Sequence, residues 1–391
     1  MCYFSQGDTP VKLLSSSADL GNATALFKLG QLYEKGNGVE QDRSKALELY
    51  YKASLNGETQ ASSYLGYCYF TGNIVEKDIA KAVKLLITSA KGENKEAQYI
   101  LGNFYLFGIG VVKDPQEAVK WYQKAAQQNY PPAQYCLGVC YLTGNGLIED
   151  SDEAIYWFQK AAQQEYPPAQ YNLGICYQVN DEIEDNNKKA FEQLKRAALN
   201  GLVEAQNNLA ICYNFGHGTK KDDQKAVKWF QKAAQQNDSN ALSNLAICYL
   251  QGEGIQKNPK EAYRLLKSAA EMGSLIAQNN LGYCYLEGEG IEKNHAEATK
   301  WFRKAANDGL GMAQSNLATC YYYGWGVSED KKEAVNWFIK AAQNDYSNIR
   351  NGYIRDKLHE IMITIDKDST KKDNFNTSNF IGHCYLKGIS L

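Results

Sequence analysis

Ten cysteines and four histidines are the side chains of this 391-residue chain best equipped for nucleophilic, redox or metal chemistry. A cysteine thiolate attacks electrophilic carbon or a disulfide, and thiolates grouped with imidazoles hold zinc. Their placement argues against all of these. Cys68, Cys140, Cys176, Cys212, Cys248, Cys284 and Cys320 share one register position in a pattern that repeats every 36 residues, and Cys384 continues it locally in the tail. Leu32 and Phe104 fill the same position in the two copies that lack cysteine, so the place asks for an apolar side chain, which a free cysteine supplies. Neighbouring copies set these sulfurs about one helix spacing apart, ~8–10 Å, beyond the ~7 Å between Cα atoms that a disulfide tolerates. Reduced, buried thiols are expected. Cys136 and Cys140 lie four apart, but no histidine or third cysteine joins them at ligand spacing. His217, His295, His359 and His383 occupy four unrelated places and form no HxxxH. There is no nucleophile elbow, and no GxGxxG or GxxxxGK follows a strand. An enzyme brings a few unlike residues together, whereas this chain repeats like ones. It is expected to have no catalytic residues, no cofactor and no metal.

The elements that carry these residues follow from the repeat itself. The pattern starts at Ala25 and again at Ala61, Ala97, Ala133, Ala169, Ala205, Ala241, Ala277 and Ala313, without insertion or deletion, so nine copies fill residues 25–348. A fixed period of this length marks a solenoid in which each unit contacts mainly its neighbours. Counting from each starting alanine, Leu stands at +4, Gly or Ala at +5 and Tyr at +8 in every copy, a spacing that lays them along one face of a first helix. Gly-x-Gly follows in seven of the nine, as in Gly108-Ile109-Gly110, and reads as a helix C-cap and turn. Asp42, Asp78, Asp114, Asp150, Asn186, Asp222, Asn258, Asn294 and Asp330 then stand at +17 as expected N-caps of a second helix. Glu117, Glu153, Glu261, Glu297 and Glu333 follow three later in the relation of a capping box. Pairs such as Trp121-Tyr122 and Trp157-Phe158 supply large core residues, and Ala125-Ala126 and its equivalents supply the gaps that receive them.

Three regions depart from the pattern. In the fifth copy Gln193 replaces the Trp/Leu position and Asn180-Asp181-Glu182 replaces the glycine turn, so this copy is expected to pack least well and to bend the array. Residues 1–24 read as a partial N-terminal repeat and residues 349–391 as a degenerate C-terminal region. Within the latter, Ile354, Leu358, Ile361 and Ile365 are placed to form a closing amphipathic helix, and a partial repeat follows from Thr377.

With 42 basic and 44 acidic residues the net charge is −2, which gives no drive towards nucleic acid or an anionic membrane. No apolar run approaches the ~20 residues of a membrane span. The opening MCYFSQGDTP lacks the basic and apolar regions of a signal peptide, so a cytoplasmic location is expected.

The pattern A-x-x-x-L-G-x-x-Y-x-x-G-x-G followed by D/N-x-x-x-A-x-x-W/L-F/Y-x-x-A-A resembles the SEL-one-like repeat family, a relative of the tetratricopeptide repeat. The resemblance covers residues 25–348 and implies an all-α fold, a right-handed α-solenoid of stacked helix-turn-helix repeats. It further implies a non-catalytic scaffold or adaptor that binds protein partners or extended peptide along its concave face. No small-molecule substrate is evident. Other roles found in the family are a repeat module regulating an enzyme, kinase-linked or of the chitin-synthase-activator type, and an adaptor of endoplasmic-reticulum-associated degradation.

Within that frame the variable positions of the first helix, +2, +3, +6 and +10, become the candidate partner-binding face. They include Tyr99, Tyr135 and Tyr171 at +2, Tyr67 and Tyr283 at +6, and Asn172, Asn208, Asn244, Asn280 and Asn316 at +3 in five consecutive copies. Asparagine is a modest helix former, so its recurrence has a cause. The resemblance implies an asparagine ladder that grips the backbone of an extended peptide, since an amide both donates and accepts. Alternatively these asparagines bond to neighbouring helices. On the first reading their removal leaves no buried partner unpaired and the melting temperature hardly moves.

Overall fold

The computed structural model describes residues 10–179 and 184–344. Among them it shows nineteen helices and no strand. The chain divides into two compact units, residues 1–180 and 181–391.

The first unit runs α1 (Pro10–Asp19), α2 (Ala23–Lys35), α3 (Arg43–Leu55), α4 (Thr59–Thr71), α5 (Ile79–Lys91), α6 (Lys95–Phe107), α7 (Pro115–Gln127), α8 (Pro131–Thr143), α9 (Ser151–Gln163) and α10 (Pro167–Val179). The second runs α11 (Glu184–Leu199), α12 (Val203–Phe215), α13 (Asp223–Ala234), α14 (Ser239–Gln251), α15 (Pro259–Glu271), α16 (Leu275–Glu287), α17 (His295–Asn307), α18 (Gly311–Tyr323) and α19 (Lys331–Asn344). Within each unit, α2, α4, α6 and α8, and likewise α12, α14, α16 and α18, pack most extensively on the second helix of their own repeat and next on the second helix of the repeat before, and α10 packs on α9. This is the stacked helix-pair arrangement of an α-solenoid.

The contact that defines the pair joins +5 to +25. Tyr50, Leu86, Tyr122, Phe158, Leu194, Phe230, Leu266, Phe302 and Phe338 hold +25 and are all almost fully buried. A Cβ added at Gly102 would come within 2.5 Å of the Tyr122 ring, and one at Gly282 within 2.6 Å of the Phe302 ring. A small residue at +5 is therefore what lets the two helices close to core distance. The Trp residues at +24 sit further out, with Trp121 and Trp337 each 8% exposed.

The turn glycines carry two separate loads. The first, as at Gly108 (φ 74°), caps the first helix in the left-handed region and returns its N–H to the Phe104 carbonyl. The second, as at Gly290 (φ 76°), presses against the backbone of the preceding second helix, where any Cβ would collide with the Pro259 carbonyl. In the second copy Ile74 holds this place at φ 56°, an uncommon conformation for a β-branched side chain.

The N-caps form as the sequence predicts in eight copies. Asp42, Asp78, Asp114, Asp150, Asp222, Asn258, Asn294 and Asp330 each accept from the backbone N–H three residues on. Asn186 does not. It lies inside α11, which starts at Glu184, and no glycine of the usual turn precedes it in the sequence. The capping boxes also differ from expectation. Among the described residues Glu117, Glu261 and Glu297 turn outward to Lys120, Arg264 and Lys300, and Glu333 accepts from the Trp337 indole N–H at 2.8 Å.

In the fifth copy, Leu194 is fully buried at the central +25 place. Its neighbour Gln193 has a buried Oε1 with no hydrogen-bond partner, the cost of an amide where other copies carry Trp or Leu. The expected closing helix near Ile354 to Ile365, the partial repeat at Thr377 and Cys384 lie outside the described residues. None of the described helices is long and apolar enough to cross a membrane.

Candidate partner-binding face

The cysteines settle first, because burial removes them from chemistry. Cys68, Cys140, Cys212, Cys248, Cys284 and Cys320 are free and buried, as the sequence predicts, while Cys136 and Cys176 are free and half-buried. Burial pushes the thiols of Cys68, Cys140, Cys212, Cys248 and Cys284 up to about 11 and that of Cys136 up to about 12. A thiol held neutral in an apolar setting is a poor nucleophile.

The variable face of the first helices then remains. In the first unit Asn172 donates to the Tyr135 hydroxyl at 3.3 Å. In the second, Asn244 donates to Asn207 Oδ1 at 3.0 Å and Asn316 donates to Asn279 Oδ1 at 2.8 Å. Each bond joins +3 of one repeat to +2 of the repeat before. Asn207 also lies 3.5 Å from Asn208 Oδ1, and Asn279 donates to Asn280 Oδ1 at 3.2 Å. The asparagine row is thus braced from helix to helix. Asn207 and Asn279 are buried, at 7% and 2% exposure, so removing Asn244 or Asn316 leaves a buried acceptor unpaired. For these two a lowered melting temperature is therefore expected on substitution.

The bracing does not exhaust the amides. A side-chain amide offers two N–H donors and an oxygen with two lone pairs. Asn244 commits a single N–H among the described residues, and Asn316 one N–H plus an oxygen that accepts from the Tyr283 hydroxyl at 3.2 Å. The tyrosines are fixed by ring contacts. Tyr99 packs edge-on to Tyr130 at 5.7 Å, Tyr135 to Tyr166 at 5.7 Å, and Tyr283 to Phe302 at 5.6 Å. Tyr67 and Tyr283 are 47% and 46% exposed, and Tyr171 is half-buried. Charge is nearly missing from this face. Across the nine copies, Lys28, Lys35 and Glu287 are the charged residues at positions +2, +3, +6 and +10.

Sequence reasoning missed a second, buried amide row at +1. Gln98, Gln134, Gln206, Gln278 and Gln314 each donate to the carbonyl eight residues earlier, on the preceding second helix. Gln128, Gln164, Gln236 and Asn344 in turn donate to the oxygens of Gln98, Gln134, Gln206 and Gln314 at 2.8–3.1 Å. The signal was present, since glutamine recurs at +1 in six copies, almost as often as cysteine at +7.

A model of the family described as Sel1 repeat matches the chain nine times in succession, over residues 23–58, 59–94, 95–130, 131–166, 167–202, 203–238, 239–274, 275–310 and 311–346. The chain belongs to the Sel1 repeat family. Those boundaries begin two residues before each starting alanine, at the first residue of each first helix. Among solved structures, the Sel1 repeat chain is similar to c5321, described as a protective antigen of uropathogenic Escherichia coli with an SLR fold, at 27% identity and a TM-score of 0.54, covering 98% of this chain and 95% of that one. It is also similar to a Sel1 repeat protein from Oxalobacter formigenes, at 28% identity and a TM-score of 0.38 over 86% of this chain and 87% of that one. Human IFIT1, solved as a dimer with m7Gppp-AAAA, shares the fold alone, at 13% identity and a TM-score of 0.51 over 97% of this chain and 90% of that one. No curated protein matches the chain. Sel1 repeats are typically protein-interaction modules.

Proposed function

We propose that this protein is a non-catalytic scaffold that holds an extended protein segment along the exposed face of its first helices. The observation that carries this reading is the composition of that face. It is almost free of charge, and it combines braced amides with fixed aromatic rings. Asn172 in the first unit, and Asn208, Asn244, Asn280 and Asn316 in the second, supply donors and acceptors for peptide backbone bound on the face of their own unit. Tyr67, Tyr99, Tyr135, Tyr171 and Tyr283 supply surface for its side chains. An uncharged amide row can grip peptide groups without selecting the residues between them, while rings bury apolar area at small entropy cost. Bonds from repeat to repeat fix Asn172, Asn244 and Asn316 before the segment arrives, which lowers the ordering cost of binding.

The test begins with a peptide of about twelve residues, a length that spans several repeats when extended, selected from a random display library on the whole protein. A benzophenone amino acid replaces Tyr283 on the first-helix face or Lys228 on a second helix. Crosslinking through position 283 and not 228 is expected. Efficient crosslinking through 228 alone contradicts the proposal.

A further inference from the structure

At the start of the first unit, the same face deepens into a cleft of about 290 Å³ between α2, α4 and α6, lined by no member of the asparagine row. Its walls are the rings of Phe27, Tyr64 and Tyr67, and its polar lining includes Glu96, Gln31 and Gln60. The Tyr64 ring is held on three sides. Its hydroxyl donates to one oxygen of Glu34 at 2.5 Å, while Tyr50 donates to the other at 2.6 Å. Its edge meets Phe27 at 6.4 Å and Tyr50 at 5.0 Å between centroids. One turn further along α4, Tyr67 leaves 47% of its surface open.

Glu96 stands in the first turn of α6 and forms no ion pair among the described residues. The adjacent Lys95 points elsewhere, over the Tyr130 ring at 5.8 Å. Lys28 lies on α2 beside Phe27 but is not part of the lining. Ring faces attract cations through their quadrupole, a carboxylate pairs with them directly, and the amide oxygens of Gln31 and Gln60 are further acceptors. A planar guanidinium meets all three demands, stacking on a ring while its N–H fork reaches several acceptors. A compact ammonium offers no such stacking plane.

We infer that this cleft receives an arginine side chain of the bound segment and so anchors the segment's position along the repeats. The inference rests on the proposed binding face but is tested without it. The whole protein, carrying ring-labelled tyrosine, is titrated by NMR with Nα-acetyl-arginine methylamide and with its uncharged citrulline counterpart. Saturable shifts with a dissociation constant of about 1–20 mM are expected for the arginine compound, and at least roughly fivefold weaker binding for citrulline. Glu96→Gln is expected to weaken the arginine compound at least roughly threefold and leave citrulline unchanged. Lys228→Ala, outside both the cleft and the proposed binding face, is expected to change neither titration; the small compounds need no asparagine, so failure of the asparagine row, read with the selected peptide, and failure of the cleft are separable. Equal binding of the two compounds, absence of saturable shifts, tighter binding of acetyl-lysine methylamide, or indifference to Glu96→Gln overturns the inference.

Discussion

Gln128 donates its side-chain amide to the oxygen of buried Gln98 at 2.9 Å, and Asp308, at the equivalent place one helix pair before the last described helix, cannot do the same for Gln278. The backbone is the same at both, φ −85° and ψ 18° at Gln128 and φ −84° and ψ 10° at Asp308. The oxygen of Gln278 is consequently buried without a partner. Asp308 also places a negative charge at a helix C-terminus, the unfavourable end of the dipole.

Asp308→Gln is therefore expected to stabilise the protein by about 1 kcal/mol, the net size of one hydrogen bond. Denaturant unfolding checks it, with Asp308→Ala as the control that removes the charge without restoring the donor. Equal gains from the two substitutions contradict the role assigned to the glutamine row.

A second pair of substitutions separates conformational freedom from close approach. Gly309 has φ +93° with nothing within 4 Å of a would-be Cβ, whereas at Gly290 the same atom meets the Pro259 backbone. Gly309→Ala is expected to cost about 1 kcal/mol from the backbone conformation alone. Gly290→Ala is expected to cost ~1–3 kcal/mol more, the usual penalty of overpacking. Unfolding midpoints that fall equally for both contradict a stacking role for the second turn glycine.

The thiols predict a response to alkali. A thiol ionises near 9.0 when exposed and near about 11 in the folded protein at Cys284, because burial disfavours the thiolate. The unfolded chain therefore loses a proton first, and stability is full below pH 9 and falls as pH rises towards 11. Cys284→Val is expected to reduce the slope of stability against pH in that window by one proton, ~1.4 kcal/mol per pH unit. An unchanged slope contradicts the burial of that thiol.

Repetition explains why so much of the fold is legible in the sequence. Nine internal copies separate the invariant Leu at +4 and Tyr at +8 from drifting positions, so helix pairs, caps and the cysteine environment follow directly. Asn186 fails because the rule was carried from copies with a glycine turn to one without. The partners of the asparagines were not legible, because the bond from Asn244 to Asn207 spans 37 residues, one period plus one, and depends on how neighbouring helices are offset. Helix periodicity fixes which face a residue occupies but not which side chain of the next helix it meets.

That offset yields its own prediction. Asn244→Ala strands the buried Oδ1 of Asn207 and is expected to cost ~1–3 kcal/mol. Adding Asn207→Ala removes the stranded acceptor, and the pair together is expected to cost less than the sum of the two single changes. Strict additivity in denaturant unfolding contradicts the bond between them.

The most direct measurement of the account is the affinity of the selected peptide, by fluorescence anisotropy, for the protein carrying Asn208→Ala, Asn244→Ala and Asn280→Ala together. It is made at a temperature where circular dichroism shows the variant fully helical, so that lost folding does not enter. An amide row that grips backbone predicts binding at least roughly tenfold weaker, from a net ~0.5–1.5 kcal/mol for each lost hydrogen bond. Undiminished affinity in the folded variant contradicts it, and leaves the asparagines as braces between repeats and nothing more.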